Sequence, residues 1–272
     1  MKVGEIKNSV KEQFIKFKNI NVSFTDTGKG KAVVFLHGFL EAKEVWENFA
    51  KRLSKTQRVI TIDLLGHGKT DCLSYVHTME EMAEAVLKVL HHLKLRKYFL
   101  IGHSLGGYVS LALAENYPDN IKGLCMFHSS SNADNKQKQK DRDRLIKVVK
   151  RNPKIFIDEA IPHLFNTNYQ PYQEEIKKLK KIAEATSKQG IIAALEGMKI
   201  RLEREIIVKF SPYPVLYIIG EEDTILPCSD LIEQAKLPEN GTYLLLKNVG
   251  HMGFIEAEQE TYDAVKRFVT RN

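Results

Sequence analysis

A single serine stands between glycines in the segment IGHSLGGY, residues 101–108. The apolar run YFL precedes this segment, and VSLALAENY, which has the composition of a helix, follows it. A tight turn from a strand into a helix strains its central residue and needs small neighbours so that the chain can pass closely. Such a turn presents the Ser104 hydroxyl at a helix N-terminus, where a developing anion is stabilised. The pattern therefore predicts a nucleophilic serine.

A serine hydroxyl becomes an effective nucleophile when a base takes its proton and a carboxylate orients that base. Of the nine histidines, His251 is the best placed, because its segment NVGHMGF follows the last predicted strand and precedes the last predicted helix. The carboxyl ends of parallel strands meet at one edge of a sheet, and Ser104 is expected at that edge. We therefore predict that His251 is the base.

The orienting carboxylate is expected in the segment GEEDTILP, residues 220–227, which follows the apolar run PVLYII. Asp223 lies in this loop, and Glu221 and Glu222 offer the same chemistry. A second common position for the acid follows the preceding strand, but the sequence there reads FHSSS and holds no carboxylate. The absence of an acid at that position favours Asp223.

Acyl transfer also requires N–H groups that point at the developing oxyanion. One donor is expected to be the backbone N–H of Leu105, which directly follows the serine. The second is expected in the loop HGFL, residues 37–40, where Gly38 lets the backbone bend and Phe39 donates.

These residues need a sheet whose strands end at a common edge, and the chain has the pattern of one. Short apolar runs such as AVVFL alternate with amphipathic segments, which predicts an α/β fold with a doubly wound, mostly parallel sheet. From 131 to 210 the strand patterns stop, and Ile191, Leu195, Met198 and Leu202 form a helical stripe. We expect residues 1–130 and 211–272 to form the core domain, and 131–210 to form a helical cap inserted between two strands.

Five motifs occur in order along the chain: LHGF at 36–39, DLLGHGKTD at 63–71, GHSLGG at 102–107, GEEDTILP at 220–227 and GHMGFIE at 250–256. With them the chain resembles, over nearly its whole length, an α/β-hydrolase-fold serine hydrolase of the esterase-like branch. The resemblance implies a triad in the order Ser, Asp, His, a helical cap, and a structural role for His67. Serine at 104 argues against the dehalogenase and epoxide hydrolase branches, and Tyr108 replaces an arginine usual in the menaquinone-pathway synthases.

The resemblance implies cleavage of a small to medium carboxylic ester, or a related acyl compound, through an acyl-enzyme on Ser104. A C–C bond hydrolase, lyase or synthase with the same triad is an alternative, as is a receptor-like protein that binds its ligand with little turnover. No metal or organic cofactor is expected. The substrate pocket is expected beneath the cap, with His128, Phe156, Leu164 and Phe165 as candidate lining residues.

Composition limits the partners of the chain. Its 272 residues, 43% hydrophobic and 28% charged, are typical of a soluble globular protein. The N-terminal segment MKVGEIKNSVKEQ contains no apolar stretch, and no run approaches the length of a membrane span, so we expect neither a signal peptide nor a membrane partner. Three widely spaced cysteines, Cys72, Cys125 and Cys228, are compatible with a cytoplasmic location.

The net charge of +7 raises the possibility of nucleic-acid binding. Between 131 and 209, 18 lysines and arginines stand against 11 aspartates and glutamates, so this segment accounts for the whole excess. In KQKQKDRDR the basic residues alternate with acids and glutamines, and no aromatic residues lie between them to stack on bases. We therefore expect a solvated helix surface rather than a nucleic-acid site.

Overall fold

The computed structural model describes residues 11–166 and 170–272, so the signal-peptide expectation rests largely on residues outside it. Within these ranges eight strands form one sheet in the order β1-β2-β4-β3-β5-β6-β7-β8. The strands are β1 (Glu12–Phe17), β2 (Ile20–Gly28), β3 (Ala32–Leu36), β4 (Arg58–Ile62), β5 (Tyr98–His103), β6 (Ile121–Phe127), β7 (Val215–Gly220) and β8 (Gly241–Leu246).

The sheet is mostly parallel. Strand β2 pairs antiparallel with β1 and β4, and every other neighbouring pair is parallel. The predicted α/β fold with a mostly parallel sheet is confirmed. The chain leaves β3 for β4 on one side and later returns to β5 on the other side, which makes the β3–β5 boundary a topological switch point. Open α/β sheets bind ligands in the crevice beyond the strand ends at such a point.

The apolar sequences of the central strands agree with their burial. Every residue of β3 and β5 is buried, as expected for parallel strands that helices cover on both faces.

Across the described residues, no helix has both the length and the apolar character needed to cross a bilayer. The helices are α1 (Glu47–Leu53), α2 (Met79–His92), α3 (Leu105–Asn116), α4 (Lys136–Arg151), α5 (Pro153–Ala160), α6 (Gln173–Ala185), α7 (Lys188–Lys199), α8 (Glu205–Lys209), α9 (Cys228–Ala235), α10 (Gly253–Glu256) and α11 (Glu258–Arg271).

Helices α4 to α8 lie between β6 and β7 in the chain and form what we call the helical insertion, residues 131–210. Side-chain oxygens cap several of these helices, and that of Asn135 accepts from the Lys138 N–H at the start of α4. The predicted apolar stripe of α7 is buried at Ile191, Leu195 and Met198. Leu202 does not belong to this stripe, because it lies beyond the end of α7 and is 59% exposed.

Candidate active site

Ser104 connects β5 to α3 in a strained backbone conformation, with φ at 48°. Its N–H donates to the carbonyl of Phe127 on the neighbouring strand at 3.0 Å, which fixes the turn to the sheet. A Cβ at Gly106 would lie 2.3 Å from the Leu36 carbonyl oxygen, so α3 reaches β3 only with glycine there. The turn has the predicted form and places the serine at the N-terminus of α3.

Asp223 and His251 form a buried, hydrogen-bonded pair. His251 Nδ1 donates to Asp223 Oδ2 at 2.7 Å, which leaves Nε2 as the basic nitrogen of the ring. The other carboxylate oxygen of Asp223 accepts from the backbone N–H groups of Ile225 at 2.8 Å and Leu226 at 3.0 Å. The structure thus brings Asp223, rather than Glu221 or Glu222, against the predicted base.

A second histidine shares the same carboxylate oxygen. His128 Nδ1 lies 3.3 Å from Asp223 Oδ2, and its other ring nitrogen is buried without a hydrogen-bond partner. Burial, which outweighs the attraction of Asp223, lowers the pKa of His128 to about 4, so the ring is neutral at pH 7. Burial opposes ionisation of Asp223, but the two histidines outweigh it and hold the pKa of that carboxyl well below its usual range.

Ser104 and His251 line one cavity of about 240 Å³ beneath the helical insertion. Within the described part of the chain, no hydrogen bond joins the Ser104 hydroxyl to the His251 ring. Such bonds are often long in ligand-free enzymes and shorten when substrate binds. The insertion also positions the base, because the backbone N–H of His251 donates to the Leu164 carbonyl at 2.7 Å.

The candidate pocket residues divide between two locations. Phe156 and Leu164 line the cavity with Ser104. His128 and Phe165 do not, and here the structure differs from the expectation. The His128 ring contacts Asp223 through Nδ1, and Phe165 is buried against Tyr172 with ring centroids 5.5 Å apart.

The two expected oxyanion donors flank the serine turn. Leu105 is the first residue of α3, so its N–H has no acceptor within the helix. Phe39 lies in a turn between β3 and α1 and lines the cavity. The side chain of Glu41 closes this turn, because its Oε2 accepts from the Gly38 N–H at 2.7 Å. Among the described residues, no hydrogen bond uses the N–H of Phe39 or Leu105.

A buried ion pair supports this loop, and sequence reasoning missed it. The His103 ring nitrogens face two acceptors, the Glu41 carboxylate at 2.9 Å from Nδ1 and the His251 carbonyl oxygen at 2.9 Å from Nε2. Neutral imidazole has one N–H, so satisfying both acceptors requires the imidazolium form. Burial lowers the pKa of His103 and raises that of Glu41, but their mutual attraction outweighs burial and shifts both pKa values the opposite way.

This His103–Glu41 pair connects the oxyanion loop to the backbone of the base. No local sequence pattern indicates this pair, since Glu41 lies 62 residues and His251 lies 148 residues from His103 along the chain. His67, expected to be structural, is buried with Nδ1 3.1 Å from the Leu65 carbonyl oxygen. Burial lowers the pKa of His67 to about 3, which keeps it neutral.

His128, Asp223 and His251 are also the described residues whose side chains could hold a metal ion, with ligand atoms within 4.8 Å of one another. Their closeness has a simpler cause. Both Nδ1 atoms approach the same Asp223 oxygen as hydrogen-bond donors, so the atoms that would bind a metal already bind each other. The donor set therefore fits an orienting carboxylate better than a metal centre.

Comparisons with known proteins agree with this fold. The model of the alpha/beta hydrolase fold family matches residues 31–258. A thermophilic esterase from Thermogutta terrifontis superposes with a TM-score of 0.90 at 27% identity, covering 96% of this chain and 98% of that one. A Bacillus subtilis protein named provisionally as a 2-succinyl-6-hydroxy-2,4-cyclohexadiene-1-carboxylate synthase is 28% identical over 255 residues, 88% of this chain and 90% of its own.

A third relative is longer than this chain. The dihydrolipoyllysine-residue acetyltransferase component of the acetoin cleaving system of Pseudomonas putida is 27% identical over 246 residues, 89% of this chain. The matched region spans 64% of that protein.

Proposed function

Because the chain belongs to the α/β hydrolase fold family, we propose that it is a serine hydrolase that cleaves small to medium carboxylic esters. One observation carries the proposal. The buried Asp223–His251 pair holds its ring in the cavity that Ser104 also lines. The similarity to the Thermogutta terrifontis esterase supports the choice of an ester.

In the proposed reaction, Ser104 Oγ attacks the ester carbonyl carbon while His251 Nε2 takes the hydroxyl proton. The N–H groups of Phe39 and Leu105 stabilise the oxyanion, and Asp223 stabilises the imidazolium. His251 then protonates the departing alcohol as the C–O bond breaks. Water, deprotonated by His251, attacks the acyl-enzyme and releases a carboxylic acid and free Ser104.

We further propose that the helical insertion acts as a cap that selects the substrate. Its residues Phe156, Ala160 and Leu164 line, together with Ser104, a cavity of about 240 Å³ with largely apolar walls. This volume suits a short to medium acyl chain. Three unpaired cysteines fit a reducing compartment such as the cytoplasm.

The test is a chain-length series of p-nitrophenyl esters hydrolysed by the wild type, Ser104→Ala and Ser110→Ala. Ser110 is a matched control, since its hydroxyl is buried in α3 and bonds to the Gly106 carbonyl. We expect Ser104→Ala to lower kcat about 10³-fold or more and Ser110→Ala to change it less than about threefold. Retention of a tenth of the activity in Ser104→Ala would rule out the nucleophile. Faster cleavage of a β-diketone than of any ester would show that the protein is a C–C bond hydrolase rather than an esterase.

A further inference from the structure

The cavity beneath the helical insertion has mostly apolar walls and is lined by one arginine. Most lining residues are apolar, and Arg142 of α4 lies among them. The lining carboxylate, Glu41, is compensated, because it pairs with His103 and accepts from the Gly38 N–H. The charge of Arg142 is therefore not cancelled by the carboxylate inside the cavity.

Outside the cavity, Arg142 shares its counter-ion. Arg142 and Arg201 both pair with Asp134, whose side chain is fully buried. Two guanidinium groups on one carboxylate leave one net positive charge. Burial is the main cause that lowers the pKa of Lys138; Asp134 opposes it, and the two arginines add to the lowering.

Arg201 by itself can neutralise Asp134. Its side chain is 4% exposed, donates to the Met198 carbonyl at 3.0 Å, and stacks its guanidinium 4.2 Å from the centre of the Tyr108 ring. Arg142 is more accessible, with 18% of its side chain exposed. It contacts Asp134 through Nε and Nη2, and among the described residues its Nη1 donates no hydrogen bond. An N–H pair of Arg142 thus remains for a ligand.

We propose that this hydrolase acts on esters that carry a carboxylate, and that Arg142 binds this carboxylate while Ser104 attacks the ester group. The inference rests on the proposed function and names its substrate class. A single uncompensated charge matches a monoanion such as a carboxylate better than a phosphate dianion. Hydrolysis on the acyl side would convert the monoester of a dicarboxylic acid and water into the diacid and an alcohol.

The experiment compares charged and neutral esters of equal length. One series places the carboxylate on the acyl chain, as in mono-p-nitrophenyl glutarate against p-nitrophenyl pentanoate. The other places it on the alcohol, as in 3-acetoxybenzoic acid against phenyl acetate. In at least one series we expect Arg142→Gln to lower kcat/KM for the charged ester about 10- to 100-fold, mainly by raising KM. A loss of this size corresponds to one charge-assisted hydrogen bond. For the neutral ester we expect a change of less than about threefold.

Arg144→Gln is the matched control, since Arg144 lies on the same helix, pairs with Asp141 and is 66% exposed. This substitution removes the same charge from the surface and should change the ratio of kcat/KM between charged and neutral esters less than about twofold. An equal response of charged and neutral esters to Arg142→Gln, in both series, would overturn the carboxylate assignment and leave the ester hydrolase proposal intact. An equal loss in Arg144→Gln would show a general charge effect and would also overturn it.

A binding measurement separates this inference from catalysis. Calorimetric titration of monomethyl glutarate, a monoanionic monoester, into Ser104→Ala needs no turnover. We expect binding that weakens about tenfold or more in the Ser104→Ala, Arg142→Gln double variant. Equal affinity in both proteins, or no binding in either, would overturn the role of Arg142 whether or not the protein proves to be an esterase.

Discussion

Replacing Glu41 by glutamine tests the buried His103–Glu41 pair that supports the oxyanion loop. A glutamine side chain can keep every hydrogen bond of this network. Its oxygen accepts from the Gly38 N–H, its amide donates to His103 Nδ1, and neutral His103 still donates from Nε2 to the His251 carbonyl. Glu41→Leu keeps none of the bonds to Glu41 and should cost about 3–5 kcal/mol of the free energy of unfolding.

Wild type and Glu41→Gln differ in the number of protons that His103 binds in the folded state, and this difference sets the size of the stability change. The pKa of His103 is raised in the folded wild type, so its contribution is complete below the unfolded pKa of about 6.5 and is lost as the pH rises through the folded pKa. Between these two pH values, the folded state binds one proton more than the unfolded state. The free energy of unfolding of the wild type, relative to Glu41→Gln, therefore falls by about 1.4 kcal/mol per pH unit.

The lowered pKa of Glu41 acts on the acid side, where its contribution is present above about pH 4.5 and is lost as the pH falls through the folded pKa. It is therefore constant over the range of the experiment. Urea unfolding at pH 6, 7, 8 and 9 measures the difference between wild type and Glu41→Gln. Parallel stability curves above pH 6.5 would refute an imidazolium at His103.

Three other substitutions test the geometry around the triad. Asp223→Asn should lower kcat about 10⁴-fold, since an amide neither stabilises the His251 imidazolium nor holds its tautomer; a loss below tenfold in an ester assay would contradict this. His128→Ala should lower kcat about tenfold with KM unchanged, because the ring contacts Asp223 and lies outside the cavity; a change confined to KM would argue for pocket lining. Gly106→Ala should destabilise the fold by about 2–3 kcal/mol, because its Cβ meets the Leu36 carbonyl; an unchanged thermal midpoint would contradict that close approach.

The features predicted from sequence are those written in neighbouring residues. The turn at Ser104 is defined by the glycines and the apolar strand beside it, and the strand AVVFL is buried at every position. A short, continuous apolar run between turn residues is typical of a buried strand, so the sheet could be predicted. The loop positions of Asp223 and His251 follow from the order of strands and helices.

The features that sequence reasoning missed depend on contacts between distant segments. His128 follows a strand as expected, yet the fold packs its ring against Gly253, where a Cβ would lie 2.3 Å from Nε2, and turns Nδ1 to Asp223. The positive charge at Arg142 can be recognised only once Arg201 is known to share Asp134. Such pairings have no local pattern, because the partners lie on different elements.

Active-site labelling tests the central claim most directly. A fluorophosphonate phosphonylates a serine only where a neighbouring base activates its hydroxyl. Incubation with the wild type, followed by intact mass and peptide mapping, should show one adduct, on the peptide that contains Ser104, and Ser104→Ala should stay unlabelled. An adduct on another residue, or equal labelling of Ser104→Ala, would contradict the assignment of Ser104, His251 and Asp223 as a catalytic triad.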